Sequence, residues 1–236
     1  MRKFTFLLSL LFIMSSAGLA QMMQNLQGAF TSHENGDEHA IILQDNYFMH
    51  TVYNVAGKLF KYSEGGSFKL AGDSLIQLVE FSTKSPQMVG ERRAYKLEAN
   101  LQEITLSGSN TGKQKWTKAD NGNSPLAGNW RITGRKEGDS IRQMQRGARK
   151  TLKLLSGTRF QWAAINPQTK EFFGTGGGTY TFENGKYTET IQFFSRDSTR
   201  VGAVLSFDGA VKDGQWHHSG KSSTGNPIYE IWSREK

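Results

Sequence analysis

The chain has 236 residues, 29 Lys and Arg against 21 Asp and Glu, and no cysteine. Without cysteine it forms no disulfide and no thiolate metal site, so its stability must rest on ordinary hydrophobic cores. The formal net charge of +8 marks moderate basicity, but Lys and Arg form no continuous stripe interleaved with stacking aromatics, so no nucleic-acid partner is expected.

At the start of the chain, Arg2 and Lys3 precede the apolar run FTFLLSLLFIM, and SSAGLA ends in small residues, with Gly18 and Ala20 at the −3 and −1 sites. This is the pattern of a secretory signal peptide over residues 1–20, cleaved before Gln21. The run is short for a membrane span, and no cysteine follows it to take a lipid. The expected product is secreted or periplasmic, is not a lipoprotein, and has no transmembrane segment after cleavage. It keeps about 216 residues (236 − 20) and a charge of about +6 once Arg2 and Lys3 are gone.

The rest of the chain repeats itself. From Leu43 to Gly90 it matches itself without a gap at an offset of 112, and about ten of the 48 positions are identical, among them Phe48/Phe160, Asn54/Asn166, Phe60/Phe172, Gly65-Gly66/Gly177-Gly178 and Phe81/Phe193. LQGAF at Leu26 corresponds to LAGNW at Leu126, and KWTK at Lys115 to IWSR at Ile231. These matches place repeat one at 26–118, a turn-rich linker ADNGNSP at 119–125, and repeat two at 126–235.

Within a repeat, helical periodicity is nearly absent, and alternating β-branched and aromatic runs are broken by Gly, Asn and Asp. In repeat two the expected strands are NWRITGR, TLKLLSG, RFQWAAI, GGTYTFE, KYTETIQFF, GAVLSFDGAV, GQWHHSG and IYEIWSR, with a two-residue turn at Asn184-Gly185. About eight meandering antiparallel strands close naturally into a barrel, which removes exposed edges. The expected fold is all-β: two tandem small antiparallel up-and-down barrels of about eight strands each.

Gly176 to Gly178 invite a phosphate-loop reading, but no Lys-Ser/Thr and no helix follow them; Tyr180 and Phe182 do, on a strand. Glycines that permit a sharp turn or strong coiling of that strand are the better reading. The run from LAGNW through LKLLSGTRFQWAAINPQTKEFFGTGGGTYTFENGKYTETIQFF to EIWSRE resembles the secreted lipocalin-like (calycin-type) domains of Bacteroidetes-type bacteria, a family of unknown function. The resemblance covers nearly all of repeat two, and repeat one is a diverged copy with Phe30 in place of Trp130. It implies the fold, a secreted setting and small-ligand binding, but no reaction and no catalytic residue.

Alternation sorts side chains into faces. Phe160, Trp162 and Ala164 share one face, as do Tyr180 and Phe182, and as do Tyr187, Glu189, Ile191 and Phe193. Glu189 stands out, because an isolated buried carboxylate is costly. Either it accepts hydrogen bonds from tyrosine in a filled core, which the narrow bore of an eight-stranded barrel favours, or it faces a wet pocket. In the second case Trp162, Tyr180, Tyr187, Glu189, Trp216 and His218 form a polar and aromatic ligand site in repeat two. No metal site, no cofactor and no catalytic residue is specified: no Cys exists, His217 and His218 point to opposite faces, and no GxSxG elbow is present.

Repeat two carries about a dozen extra residues within GRKEGDSIRQMQRGARK, expected to form a helical lid capped by Asp139 or Ser140 or a plain surface excursion. Residues 131–150 hold seven cations against two acids, and the matching stretch HENGDEH of repeat one is acidic, so attraction between these loops could dock the barrels. The sequence points to a non-enzymatic binder of a small apolar or amphipathic molecule. The alternative is an interaction module whose filled barrels offer a surface to an envelope protein or glycan.

Overall fold

The computed structural model describes Gly18 and residues 21–109, 111–222 and 224–235. The expected signal peptide, apart from Gly18, lies outside the described residues. Among those residues no helix is long and apolar enough to cross a membrane.

Eight antiparallel strands close the first barrel in chain order: β1 (Gly28–Glu34), β2 (Asp37–Gln44), β3 (Tyr47–Asn54), β4 (Leu59–Ala71), β5 (Ser74–Ser82), β6 (Arg92–Ala99), β7 (Glu103–Gly108) and β8 (Gly112–Lys118). The second barrel contains β9 (Gly128–Glu137), β11 (Lys150–Leu155), β12 (Arg159–Asn166), β13 (Glu171–Glu183), β14 (Lys186–Phe194), β15 (Val204–Lys212), β16 (Gln215–Lys221) and β17 (Pro227–Arg234). Pairing of β17 with β9 closes it. The remaining strand, β10 (Ser140–Gln143), hangs from β9 as the return arm of a hairpin.

The duplication extends to irregularities of the backbone. β3, β4 and β5 begin and end 112 residues before β12, β13 and β14 (47 to 159, 71 to 183, 82 to 194). Bulges at Val52/Tyr53 and Gly65/Gly66 recur at Ala164/Ile165 and Gly177/Gly178. The glycine run thus lies inside one long strand at the point where that strand bends. A Cβ on Gly178 would stand 2.0 Å from the Thr190 carbonyl oxygen, and one on Gly66 would stand 1.9 Å from that of Leu78. Both bulges bring two strands too close for any side chain.

Each barrel has its own core. Phe30, Ile41, Phe48, Leu75, Ile104 and Trp116 fill the first, and the helical segment at 21–26 lays Leu26, Met22 and Met23 against it. A third cluster is shared: Ala29, Ile42, Tyr47 and Met49 of the first barrel meet Leu152, Leu154, Ala163 and Ile165 of the second. The runs at 40–43 (AIIL) and 152–155 (LKLL) are buried throughout, because these strands are covered by their own interior on one face and by the other barrel on the opposite face. The packing has a local two-fold character. Phe60 stacks on Phe193 at 6.2 Å, and the counterparts of these two, Phe172 and Phe81, stack at 6.1 Å. Such reciprocal contact is the signature of an isologous interface.

Polar groups complete the interface. Thr51 donates to Gln161 at 2.7 Å, and Gln161 donates in turn to Ser63 at 2.7 Å. In the linker, Asp120 accepts from the Gly157 and Thr158 amides and the Ser156 hydroxyl of repeat two, and from the Ala29 amide of repeat one. Burial works to raise its carboxyl, but these bonds and that from Gly122 hold it below the usual carboxylate range.

Two expectations about the loops are corrected. The stretch after β9 forms no helical lid. Gly138, at φ 61°, and Asp139 make a tight turn into β10, so the chain returns as a hairpin. Nor do the acidic and basic loops dock the barrels. Asp37 pairs with Lys61 of its own barrel, and Glu38 pairs with Arg159, outside the basic stretch. Arg131, Arg135, Arg142 and Arg146 are held by Glu235, Glu230 and Glu137 of repeat two, and among the described residues Lys150 is the one cation of the basic stretch that pairs across, with Glu80.

Candidate functional site

The second barrel opens at one end into a cavity of about 1300 Å³. Its apolar wall includes Trp162, Ile191, Phe194, Leu205, Phe207 and Trp232. The excursion unique to repeat two forms the rim. β10 and the irregular residues 144–149 line the opening. Met144 packs against the barrel core, and the Arg131 guanidinium donates to the Gly147 and Arg149 carbonyls, which pins the segment in place.

Two polar groups mark the inner part. Lys153 Nζ donates to Glu189 Oε2 at 3.0 Å, and the Tyr187 hydroxyl donates to the same oxygen at 2.9 Å. Both Lys153 and Glu189 line the cavity, yet their side chains are only 6% and 8% exposed, so this is a buried ion pair. Lys153 Nζ also lies 4.8 to 5.9 Å from the ring centres of Tyr187, Phe160, Trp216 and Trp232, within the range of cation–π attraction. Beside the pair, Glu230 accepts from Arg135 at 2.7 Å and from the Trp232 indole at 3.2 Å. Burial works to raise the Glu230 carboxyl, but His218 and Arg135 outweigh it and hold the group at about 2. Burial pushes the His218 imidazole below its ordinary value, against the pull of Glu230. His218 Nδ1 is 3.6 Å from Glu230 Oε2, and neither ring nitrogen has a hydrogen-bond partner among the described residues.

The first barrel shows what the same scaffold holds without such a cavity lining. At the positions matching Lys153, Glu189, Trp216 and His218 it has Ile41, Gln77, Ile104 and Leu106. At the positions matching Trp162, Gly174, Gly176 and Leu205 it has His50, Tyr62, Glu64 and Arg93. These four touch one another: His50 is 3.8 Å from Glu64, Glu64 is 3.0 Å from Arg93, and the His50 and Tyr62 rings are 5.5 Å apart. A polar plug therefore occupies in barrel one the level at which barrel two is open. The bare backbone at Gly176 gives the Trp162 indole its place, since a Cβ there would stand 2.8 Å from the indole nitrogen.

Of the six residues expected to form the site, Trp162, Glu189 and His218 line the cavity. Tyr180, Tyr187 and Trp216 lie behind it in the packed core. Tyr180 donates to the Ser156 carbonyl at 2.6 Å, and Trp216 packs edge-on against Trp130. Tyr187 acts through Glu189. Glu189 accepts from Tyr187 and also lines the cavity. Lys153, Arg135 and Glu230 were not anticipated. Lys153 carried a signal: in TLKLL it shares a face with Leu155, which belongs to the barrel core.

Among the described residues no group of three or more His, Asp or Glu side chains is placed to hold a metal ion. No protein-family model matches the chain, and comparison with curated proteins finds no match.

Proposed function

We propose that this protein binds a small apolar or amphipathic molecule without transforming it, and that the second barrel holds the ligand. The observation that carries this reading is the cavity of about 1300 Å³ reaching the buried Lys153–Glu189 pair. An apolar wall with a few converging polar groups is the usual make-up of a small-molecule site. The ion pair adds weight. Buried pairs seldom stabilise a fold more than apolar residues of similar volume, and the sister barrel has Ile41 and Gln77 at these positions. An interaction module built of filled barrels has less in its favour, because its premise was a closed interior. A secreted or periplasmic setting, and kinship with the lipocalin-like domains of Bacteroidetes-type bacteria, are part of the same proposal. They rest on the N-terminal pattern and on the quoted motifs.

Titration with straight-chain alcohols of increasing length, followed by tryptophan fluorescence, tests the reading, since Trp162 and Trp232 both line the cavity. Saturable quenching that strengthens with chain length is expected. Absence of any saturable change across the series would contradict it.

A further inference from the structure

We propose that Lys153 is a carbonyl-capturing residue, which takes an apolar aldehyde from the cavity into a covalent imine. The proposal rests on the binding reading above and adds a ligand class to it, since hydrolysis of the imine returns the aldehyde unchanged.

Three observations meet at this side chain. Lys153 is a primary amine on the lining of a cavity, with the rings of Phe160, Tyr187, Trp216 and Trp232 around its Nζ, and a lysine amine in apolar surroundings is the setting of Schiff-base formers. Among the described residues its one hydrogen bond is to Glu189, so an entering carbonyl oxygen finds a charge-assisted donor. The scaffold does not require a lysine here, because Ile41 occupies the matching position of barrel one, whose strands follow the same register.

The chemistry balances within the site. Glu189 accepts one ammonium proton, and the neutral amine attacks the carbonyl carbon to give a carbinolamine. That intermediate takes the proton back, loses water, and leaves a protonated imine. The net change is R–CHO plus Lys–NH3+ going to R–CH=NH+–Lys plus H2O, with no oxidant or reductant. The cation count is unchanged, so the Glu189 carboxylate keeps a positive partner throughout and no buried charge is left alone. The four rings around Nζ suit the iminium as they suit the ammonium.

Decanal is the probe and 1-decanol its unreactive analogue. The full chain is incubated with one equivalent of decanal and sodium cyanoborohydride, and modified lysines are located by peptide mass spectrometry; binding of 1-decanol is followed in parallel by tryptophan fluorescence. The expected result is a reduced decyl adduct on Lys153 forming about tenfold or more faster than on other lysines, through the high effective concentration of bound aldehyde. Lys153→Arg, with its fold checked by circular dichroism, should lose that adduct. If 1-decanol binds but adducts appear only at the rate and pattern of exposed lysines, carbonyl capture is wrong and the binding reading stands. If 1-decanol does not bind and Lys153 is unmodified, both fail.

Discussion

Lys153 donates to Glu189 at 3.0 Å inside the second barrel, where the first barrel sets Ile41 and Gln77. The two barrels are thus an internal control for each other. Glu189→Leu alone would leave a buried ammonium without its partner and cost about 3–5 kcal/mol. The double replacement Lys153→Ile with Glu189→Gln, copying barrel one, should return stability to within about 1 kcal/mol of the parent or above it, yet bind alcohols more weakly. Urea denaturation and fluorescence titration of the three proteins check this. A double variant as unstable as Glu189→Leu would mean the fold needs the pair.

Acid should weaken the molecule through two carboxyls. Glu64 and Glu230 are both held at about 2, against burial, by a histidine and an arginine each. A carboxyl with a depressed native value binds its proton more readily when unfolded. Its contribution is therefore complete above the ordinary carboxylate value near 4.5 and is lost as pH falls toward 2. About 2–3 kcal/mol should go with each group over that window. Neutral His218, depressed by burial, adds a loss in the same direction below its ordinary value of 6.5. Glu230→Gln should flatten the fall in urea midpoint between pH 5 and pH 3; an unchanged slope would show that Glu230 is not held as described.

Gly178→Ala should destabilise by about 1–3 kcal/mol or more, because the new Cβ meets the Thr190 carbonyl at a bulge. Gly202→Ala is the local comparison: that glycine has open space around it but a φ of +93°, so any cost there is conformational only. Equal losses in denaturation midpoint at the two sites would mean that close approach is not what Gly178 serves.

Much of this architecture was legible in the residues, and the failures have physical causes. The 112-residue register and the Asn184-Gly185 turn are local signals, and they led directly to the barrels. The docking face was missed although AIIL at 40–43 departs from alternation, which marks a strand covered on both sides. For the same reason the inward direction of Lys153 is hard to read: it stands between Leu152 and Leu154, which face the other barrel. Trp216 and Tyr187 were assigned to the site because alternation gives the face but not the depth along the bore. Glu230 and Arg135 lie on β17 and β9, which meet only when the barrel closes, so no local pattern joins them.

The barrels should stay docked in high salt. Their contact centres on an apolar cluster with buried hydrogen bonds, and the ion pairs that cross it, Lys150–Glu80 and Arg159–Glu38, are mostly buried, so screening affects it little. Small-angle scattering in dilute buffer and in about 1 M salt, where the screening length falls to about 3 Å, should give the same radius of gyration. An expansion in salt would show that charge holds the barrels together.

The most direct measurement of the central claim is native mass spectrometry of the protein isolated from the cells that make it, set beside the Lys153→Ile, Glu189→Gln double variant. The account predicts a discrete small-molecule mass on the parent that is absent or much reduced on the variant. A parent that is uniformly bare, or a bound mass that both proteins carry equally, would contradict a ligand site built on Lys153 and Glu189.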